Sequence, residues 1–495
     1  MRRQEDYRAG RRFGWTAVAV AGIVMAGGIC AMGTARPAKP KPAAAKSKPA
    51  AAKTGRLTIV YTGDMQGQIR PCNCSRLRFG GYGREATAVA DIRREAKDVV
   101  VIECGDFLGD PDTVQDQFKC DAAMQSMKAI GYNAVVVGDS ELVFGASRLR
   151  SFQSTVGIPF LAANLQVVAS RKPLFAKSYA IVKTASGLRV AIIGLVDPGL
   201  MVRGATQDSV VFAADPVATL KAVIPTLKGQ ADFVLVVAHT TYNRGKGLAK
   251  APGVDALILA HRETEDLVVP EKGASYVESP VETADKCLLV KSHTRNGWSL
   301  GRLDIDIRPG GVKKAKNRLF YLNGAMKESP AIAKIYADYN KKVRDHETVE
   351  RRRVKDKILA QLVKKGLDPS NYTRPKTFAT SEGCKSCHEQ AYNTWQKTGH
   401  SGAFASLKKT DQVYDPECVA CHTTGGFSRG GFTDAKTTPD LGDVQCEACH
   451  GPGASHAANP GKGYGATGEE SCRSCHTEDY GPDFNYDVMW KKIAH

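Results

Sequence analysis

The sequence predicts an α/β domain of layered sheet and helices, joined by a helical connector to a small, mostly α domain packed around cofactors. Three observations carry this. Short β-branched runs alternate with helix-like stretches from about residue 55 to 312. A charge-dense segment with helical periodicity follows at 328–370. The remainder, 378–495, is rich in Gly, Thr and Lys and carries four copies of C-x-x-C-H.

The amino-terminal element is an export signal or membrane anchor over residues 1–35. Arg11-Arg12 precede an uncharged apolar run from Phe13 to Ala35, long for a cleaved signal and long enough to span a bilayer. Residues 36–54, RPAKPKPAAAKSKPAAAKT, form a Pro/Ala/Lys tether that has nothing to bury. Up to Thr54 there are 11 Lys plus Arg against 2 acids, so this stretch holds half of the chain's net charge of +18. The rest is only mildly basic, which speaks against nucleic acid as a partner. Lysines close to a membrane surface account for the excess more simply.

In the α/β part, the strand-like runs are LTIVYT (57–62), VVVIE (99–103), AVVV (134–137), VAIIGLV (190–196), FVLVVA (233–238) and ALILA (256–260). Each stops at or near a polar residue: Asp64, Asp106, Asp139, Asp197, His239 and His261. Strand ends of such sheets converge on one edge, so these side chains are expected in one cleft. Carboxylates and imidazoles in that arrangement suit one or two divalent metal ions that activate water. Cys72 and Cys74 follow the first strand in a Gly- and Arg-rich loop and are candidates for a redox pair, a metal pair or two structural thiols. In the connector, Ile332, Ile335, Tyr336 and Tyr339 share one helix face, so its first half is expected to dock and its second half to be solvated.

The carboxyl-terminal motifs are Cys384/Cys387/His388, Cys418/Cys421/His422, Cys446/Cys449/His450 and Cys472/Cys475/His476. Random sequence of this composition would contain about 0.01 such pentapeptides. Two cysteines three apart can join both vinyl groups of one porphyrin, and the next residue presents an imidazole to the iron, so four covalent c-type haems are expected. Zinc has no need of histidine after every second cysteine. The region offers three further histidines, His400, His456 and His495, as second axial ligands for four irons; the fourth iron is open, or takes Met489 or His346. Too small and polar for an ordinary core, the segment should have porphyrins as its interior, close enough for electrons to pass between them.

GCKSCHEQAYNTWQKTGHSGAF, LGDVQCEACHGPGASH and SCRSCHTEDYGPDFNYDVMWKKIAH resemble the four-haem periplasmic c-type cytochromes of hydroxylamine oxidation and related multihaem cytochromes. That resemblance implies electron transfer, distal roles for His400, His456 and His495, and one five-coordinate iron. Residues of about 56–310 resemble the 5′-nucleotidase branch of the calcineurin-like metallophosphoesterases, whose motifs D-x-H, G-D, G-N-H-E, H and G-H-x-H here read Asp64-Met65-Gln66, Gly105-Asp106, Gly138-Asp139-Ser140-Glu141, His239 and Ala260-His261-Arg262-Glu263. The resemblance implies metal ligation by Asp64, Asp106, His239 and His261, with Gln66, Asp139 and Glu263 substituting for other family ligands. Ser140 and Val143 stand where the family has its proton-donating histidine and the aspartate that orients it. Neither can do acid catalysis near neutral pH.

Three function classes follow. The first is an exported tetrahaem electron carrier of respiration, fused to a degenerate phosphoesterase-like domain and exchanging electrons with redox proteins or quinol-linked oxidoreductases. The second is an active phosphoester hydrolase with an electron-transfer module, and the third a haem oxidoreductase acting at a five-coordinate iron. The expected location is the periplasm, with the amino terminus tethering the chain to the membrane if it stays uncleaved.

Overall fold

The computed structural model describes residues 54–71, 79–109, 113–201, 211–261, 274–308, 311–366, 368, 376–426, 428–461, 463–465, 467–477, 480–481 and 484–495. The apolar run at 13–35, Cys72, Cys74 and Glu263 lie outside these. Among the described residues, no helix is long and apolar enough to cross a membrane.

All six expected strands form, at Gly55–Thr62, Val99–Glu103, Ala134–Val136, Arg189–Val196, Phe233–His239 and Ala256–Leu259. They are shared between two sheets. Gly55–Thr62, Val99–Glu103, Ala134–Val136 and Phe160–Leu161 run parallel, and the antiparallel strands Ser299–Arg308, Gly311–Tyr321 and Tyr276–Ser279 extend that sheet to seven. In the second, six-stranded sheet, Arg189–Val196, Phe233–His239, Ala256–Leu259 and Cys287–Lys291 are parallel neighbours, flanked by antiparallel Ala180–Lys183 and Glu282–Ala284.

The near-continuous apolar strands reflect burial on both faces. Leu57, Ile59, Ile102 and Val136 of the first sheet pack with Ile192, Leu235, Val237 and Ile258 of the second, giving a core between the sheets. The opposite face of the first sheet is covered by the helices Tyr82–Glu95, Val114–Ile130, Gly145–Val156 and the start of Pro330–Lys364. Helix Pro216–Val223 and the short turns after it cover the second. The order helix, sheet, sheet, helix places the carboxyl ends of the parallel strands of both sheets along one edge.

The connector is a single helix, Pro330–Lys364. Ile332, Tyr336, Tyr339 and Val343 are buried in its first half, whereas Val349, Val354 and Val363 are exposed in its second. The last strand of the first sheet continues beyond residue 312 to Tyr321. From 380 onward the chain consists of short helices, and its buried apolar cluster reduces to Phe404, Leu407, Val419, Phe432 and Leu441 among the described residues.

Candidate functional sites

Two sites emerge, one at the strand ends and one among the C-x-x-C-H motifs. At the strand ends, Asp106, Asp139, His239 and His261 each bring a ligand atom within 4.8 Å of the others. His239 Nδ1 donates to the carbonyl of Cys104 at 3.2 Å, which leaves Nε2 to face Asp139 Oδ1 at 3.2 Å, Asp106 Oδ1 at 3.4 Å and His261 Nδ1 at 3.1 Å. A carbonyl only accepts, so this bond fixes the tautomer that suits a metal ligand. Burial would raise the Asp106 carboxyl, but the charge and hydrogen bond of His239, with bonds from Ser140, hold it below the usual carboxylate range. Burial would lower His239, but Asp106 and Asp139 raise it well above the ordinary histidine value. Two imidazole nitrogens and two carboxylates aimed at one small volume form the donor set of a divalent cation, so the residues fit a metal.

The local backbone explains the convergence. Gly105, at φ 107°, lets His239 approach; a Cβ there would lie 2.6 Å from His239 Nδ1. At Gly138 a Cβ would lie 2.3 Å from Asp106 Oδ1. Asp64, Gln66 and Asp106 all adopt left-handed backbone conformations, at φ 53°, 48° and 57°. Such conformations are uncommon outside glycine and gather at functional loops. Asp64 is buried and donates its N–H to the Gly105 carbonyl, while Gln66 Nε2 donates to Asp106 Oδ2 at 3.3 Å.

Two strand-end residues fall outside the four-residue cluster: Asp64, held beside it through the Gly105 carbonyl, and Asp197. Asp197 caps the turn at Pro198 and binds Thr240 and Arg244, outside the cleft cluster. One contributor was missed: Glu141, fully buried, accepts the backbone N–H groups of Asp106, Leu108 and Gly138, so it shapes both loops that carry the aspartates. Burial, followed by the Asp106 charge, pushes its carboxyl up to about 8. The G-D-S-E spacing was the available signal. Cys104 is buried, with its thiol pushed well up by burial and then by Glu103, so it is no thiolate nucleophile. Ser140 Oγ donates to Asp106 at 2.8 Å and offers no acid of suitable strength.

In the carboxyl-terminal region the imidazoles form facing pairs. His388 lies 6.3 Å from His456 between ring centres, His476 lies 6.2 Å from His400, and His450 lies 5.9 Å from His495. An iron held between two imidazoles by bonds of about 2 Å places each ring centre about 3 Å from the metal, so facing rings sit about 6 Å apart. The three spacings fit that requirement. His346, the alternative considered for the fourth iron, packs edge-on against Phe118 instead.

Carbonyl acceptors orient the rings at Nδ1: Ala403 O for His422 at 2.8 Å, Gly465 O for His450, and Ile493 O for His495 at 2.8 Å. Each leaves Nε2 as the nitrogen that would ligate an iron. Flat contacts hold His456 against Tyr464 and His476 against Phe484, both at 4.5 Å. The motifs also touch one another. The Cys384 thiol meets that of Cys446, Cys421 meets Cys475, and Cys449 lies beside Cys472, giving the spatial order first, third, fourth, second.

One motif thiol differs from the others in exposure. Cys387 is exposed, whereas Cys384, Cys418, Cys421, Cys446, Cys449, Cys472 and Cys475 are all partly buried. The reason is local. Cys387 sits beyond the end of the short helix Thr380–Lys385, in a turn closed by its own N–H on the Cys384 carbonyl at 3.2 Å, and its sulfur meets only the neighbouring Ser386 Oγ at 3.8 Å among the contacts described. A thioether formed there would lie at the protein surface.

The α/β region is similar in sequence and in its mixed sheets to 5′-nucleotidases and metallophosphoesterases, and the helical region carries a match to a cytochrome family model. Residues 383–451 match the family model described as cytochrome c554 and c-prime. The α/β region is similar to a 5′-nucleotidase of Diplobatis ommata, 24% identical over 299 residues, spanning 56% of this chain and 50% of that protein. Protein UshA of Salmonella pullorum is 27% identical over 299 residues, at 55% and 52% coverage. The chain therefore spans about half the length of the curated relatives it matches. Among solved structures, a 5′-nucleotidase precursor of Thermus thermophilus aligns with a TM-score of 0.49 at 21% identity, covering 58% of this chain and 59% of that one. The sulfate thiohydrolase SoxB of Thermus thermophilus aligns with a TM-score of 0.49 at 15% identity, covering 59% and 61%.

Proposed function

We propose that this chain is an exported tetrahaem electron carrier of respiration, fused to a metallophosphoesterase-fold domain whose hydrolytic machinery is degenerate. The observation that carries the reading is the set of three imidazole pairs at 5.9–6.3 Å, each joining a motif histidine to one of His400, His456 and His495. Bound haem would supply reversible one-electron carriage, at the low potential that two histidine ligands favour. The chain's own residues do the rest. Cys384/Cys387, Cys418/Cys421, Cys446/Cys449 and Cys472/Cys475 would anchor the porphyrins, and the carbonyl-bound Nδ1 atoms fix the orientation of His422, His450 and His495. The contact order of the motifs favours a continuous path rather than isolated sites.

Covalent attachment of haem outside the cytoplasm, together with the apolar run at 13–35, supports a periplasmic location with the amino terminus as tether. Redox proteins or quinol-linked oxidoreductases are the fitting partners.

A second reading, a live hydrolase, draws on the cleft. Asp106, Asp139, His239 and His261 would hold a divalent ion, which would polarise a phosphoryl oxygen and activate water. The Ser140 side chain cannot protonate a leaving group. Assaying phosphomonoester hydrolysis with Mn²⁺ before and after Ser140→His separates the two readings: the degenerate reading expects negligible turnover in the parent and a gain on the order of 100-fold in the variant. Vigorous parent turnover would overturn degeneracy.

A further inference from the structure

The second motif lies at one end of the contact order, and the helix that carries it meets the α/β domain. That helix, Pro416–His422, begins at Asp415, whose carboxylate caps it by accepting the Glu417 N–H at 3.1 Å. Asp415 is buried, and the α/β domain grips it from two sides. Arg70 Nη2 reaches Asp415 Oδ2 at 3.0 Å, and Gln115 Nε2 reaches Oδ1 at 2.7 Å.

Arg70 is itself fixed. Its other nitrogen donates to Asn340 Oδ1 at 2.7 Å, and its guanidinium lies over Tyr339 at 5.3 Å. It follows Gln66, which bonds Asp106 in the cleft, by four positions in the chain. The intervening backbone is clamped, because Ile69 O accepts from both Tyr336 Oη and Tyr82 N. Around this pair, Lys119 bonds Glu417 and Gln68 bonds Tyr480. The charges of Arg70 and Asp415 both act on the Cys418 thiol, the atom that would join the porphyrin.

We propose that Arg70 and Asp415 set the potential of the haem attached at Cys418 and Cys421, making this haem the one through which the α/β domain influences electron flow. The inference rests on the haem reading above. Reduction adds one electron to the ferric iron and no other bond changes, so a fixed positive charge nearby favours the reduced form and a negative charge the oxidised form. The pair is only slightly exposed, at 16% for the Arg70 and 6% for the Asp415 side chain, so water screens it weakly. Neither residue is among the candidate iron ligands; both are positioning residues.

The test is spectroscopic redox titration of the full-length haem-loaded protein. Arg70→Ala should lower one midpoint, and Asp415→Asn, which keeps a competent helix cap, should raise the same midpoint. Arg70→Lys should restore most of the parent value. His422→Met, which retains both thioether cysteines and raises the potential of its own haem, identifies which midpoint this is. Arg344→Ala removes another contact between the two regions, the exposed pair with Asp411, and should move no midpoint. Unchanged midpoints in both Arg70→Ala and Asp415→Asn, or shifts of the same sign, would overturn the proposal. A preparation without a Soret band would instead overturn the haem reading itself.

Discussion

The two halves of this chain differ in how much apolar protein core they bury. Between its sheets the α/β region buries side chains such as Ile59, Ile192, Leu235 and Ile258, a core made wholly of protein. The carboxyl-terminal region has, among the described residues, a cluster of five buried apolar side chains, and it brings three pairs of imidazoles to 5.9–6.3 Å between ring centres. On the proposed reading, the contrast teaches that foldability and function are one property in the second half and separable in the first. A protein-made core can outlive the chemistry at its rim; a cofactor-made core cannot.

The sharpest way to break this comparison is to withhold haem. Protein produced without covalent haem should lose residues 384–495 to limited proteolysis while the α/β region stays resistant, as followed by mass spectrometry of the fragments. A resistant apo segment would end the contrast. A single-site version is His456→Ala, which removes the imidazole facing His388. It should change the spin state and raise the midpoint of one haem in electron paramagnetic resonance and redox titration, and leave the thermal transition of the α/β region in place.

The converse perturbation strikes the protein-made half. Glu141→Ala strips three backbone N–H groups of their buried acceptor. It should destabilise the α/β region by about 3–5 kcal/mol and weaken metal binding in the cleft, with the haem spectrum unchanged; denaturant unfolding and calorimetry measure both.

The smallest effect concerns pH. Glu85 is buried, bonded to Tyr132, and burial pushes its carboxyl up to about 8. In the unfolded chain it ionises near 4.5, so between these values the unfolded state has lost a proton that the folded state keeps. Stability from this group is therefore complete below about pH 4.5 and is lost as pH rises towards 8. Glu85→Gln should stabilise the α/β region by about 1–3 kcal/mol at pH 8 and have little effect at pH 4, as read from thermal unfolding at the two values.

Much of this was legible beforehand because it is local. The six strands announced themselves by β-branched runs with polar ends, and the amphipathic half of the connector by Ile332, Tyr336 and Tyr339. The haem motifs need only five consecutive residues each. What stayed hidden depends on distant partners. Which imidazole faces which motif is decided by pairings such as His388 with His456, and no spacing rule reveals them. The grip of Arg70 on Asp415 joins residues 345 apart in sequence. Asp197 shares the strand-end pattern of Asp106 yet enters a turn, and the Pro198-Gly199 that follows it was the distinguishing signal. Glu141 was visible within its motif, but its work as a backbone acceptor under both aspartate loops appears only in three dimensions.

The most direct test of the central claim is the number of covalently bound haems per chain, from the intact mass of the mature protein together with its iron content. The account predicts the polypeptide mass plus four haems and four irons, one for each C-x-x-C-H motif. A mass equal to the polypeptide alone, or zinc in place of iron, would contradict it.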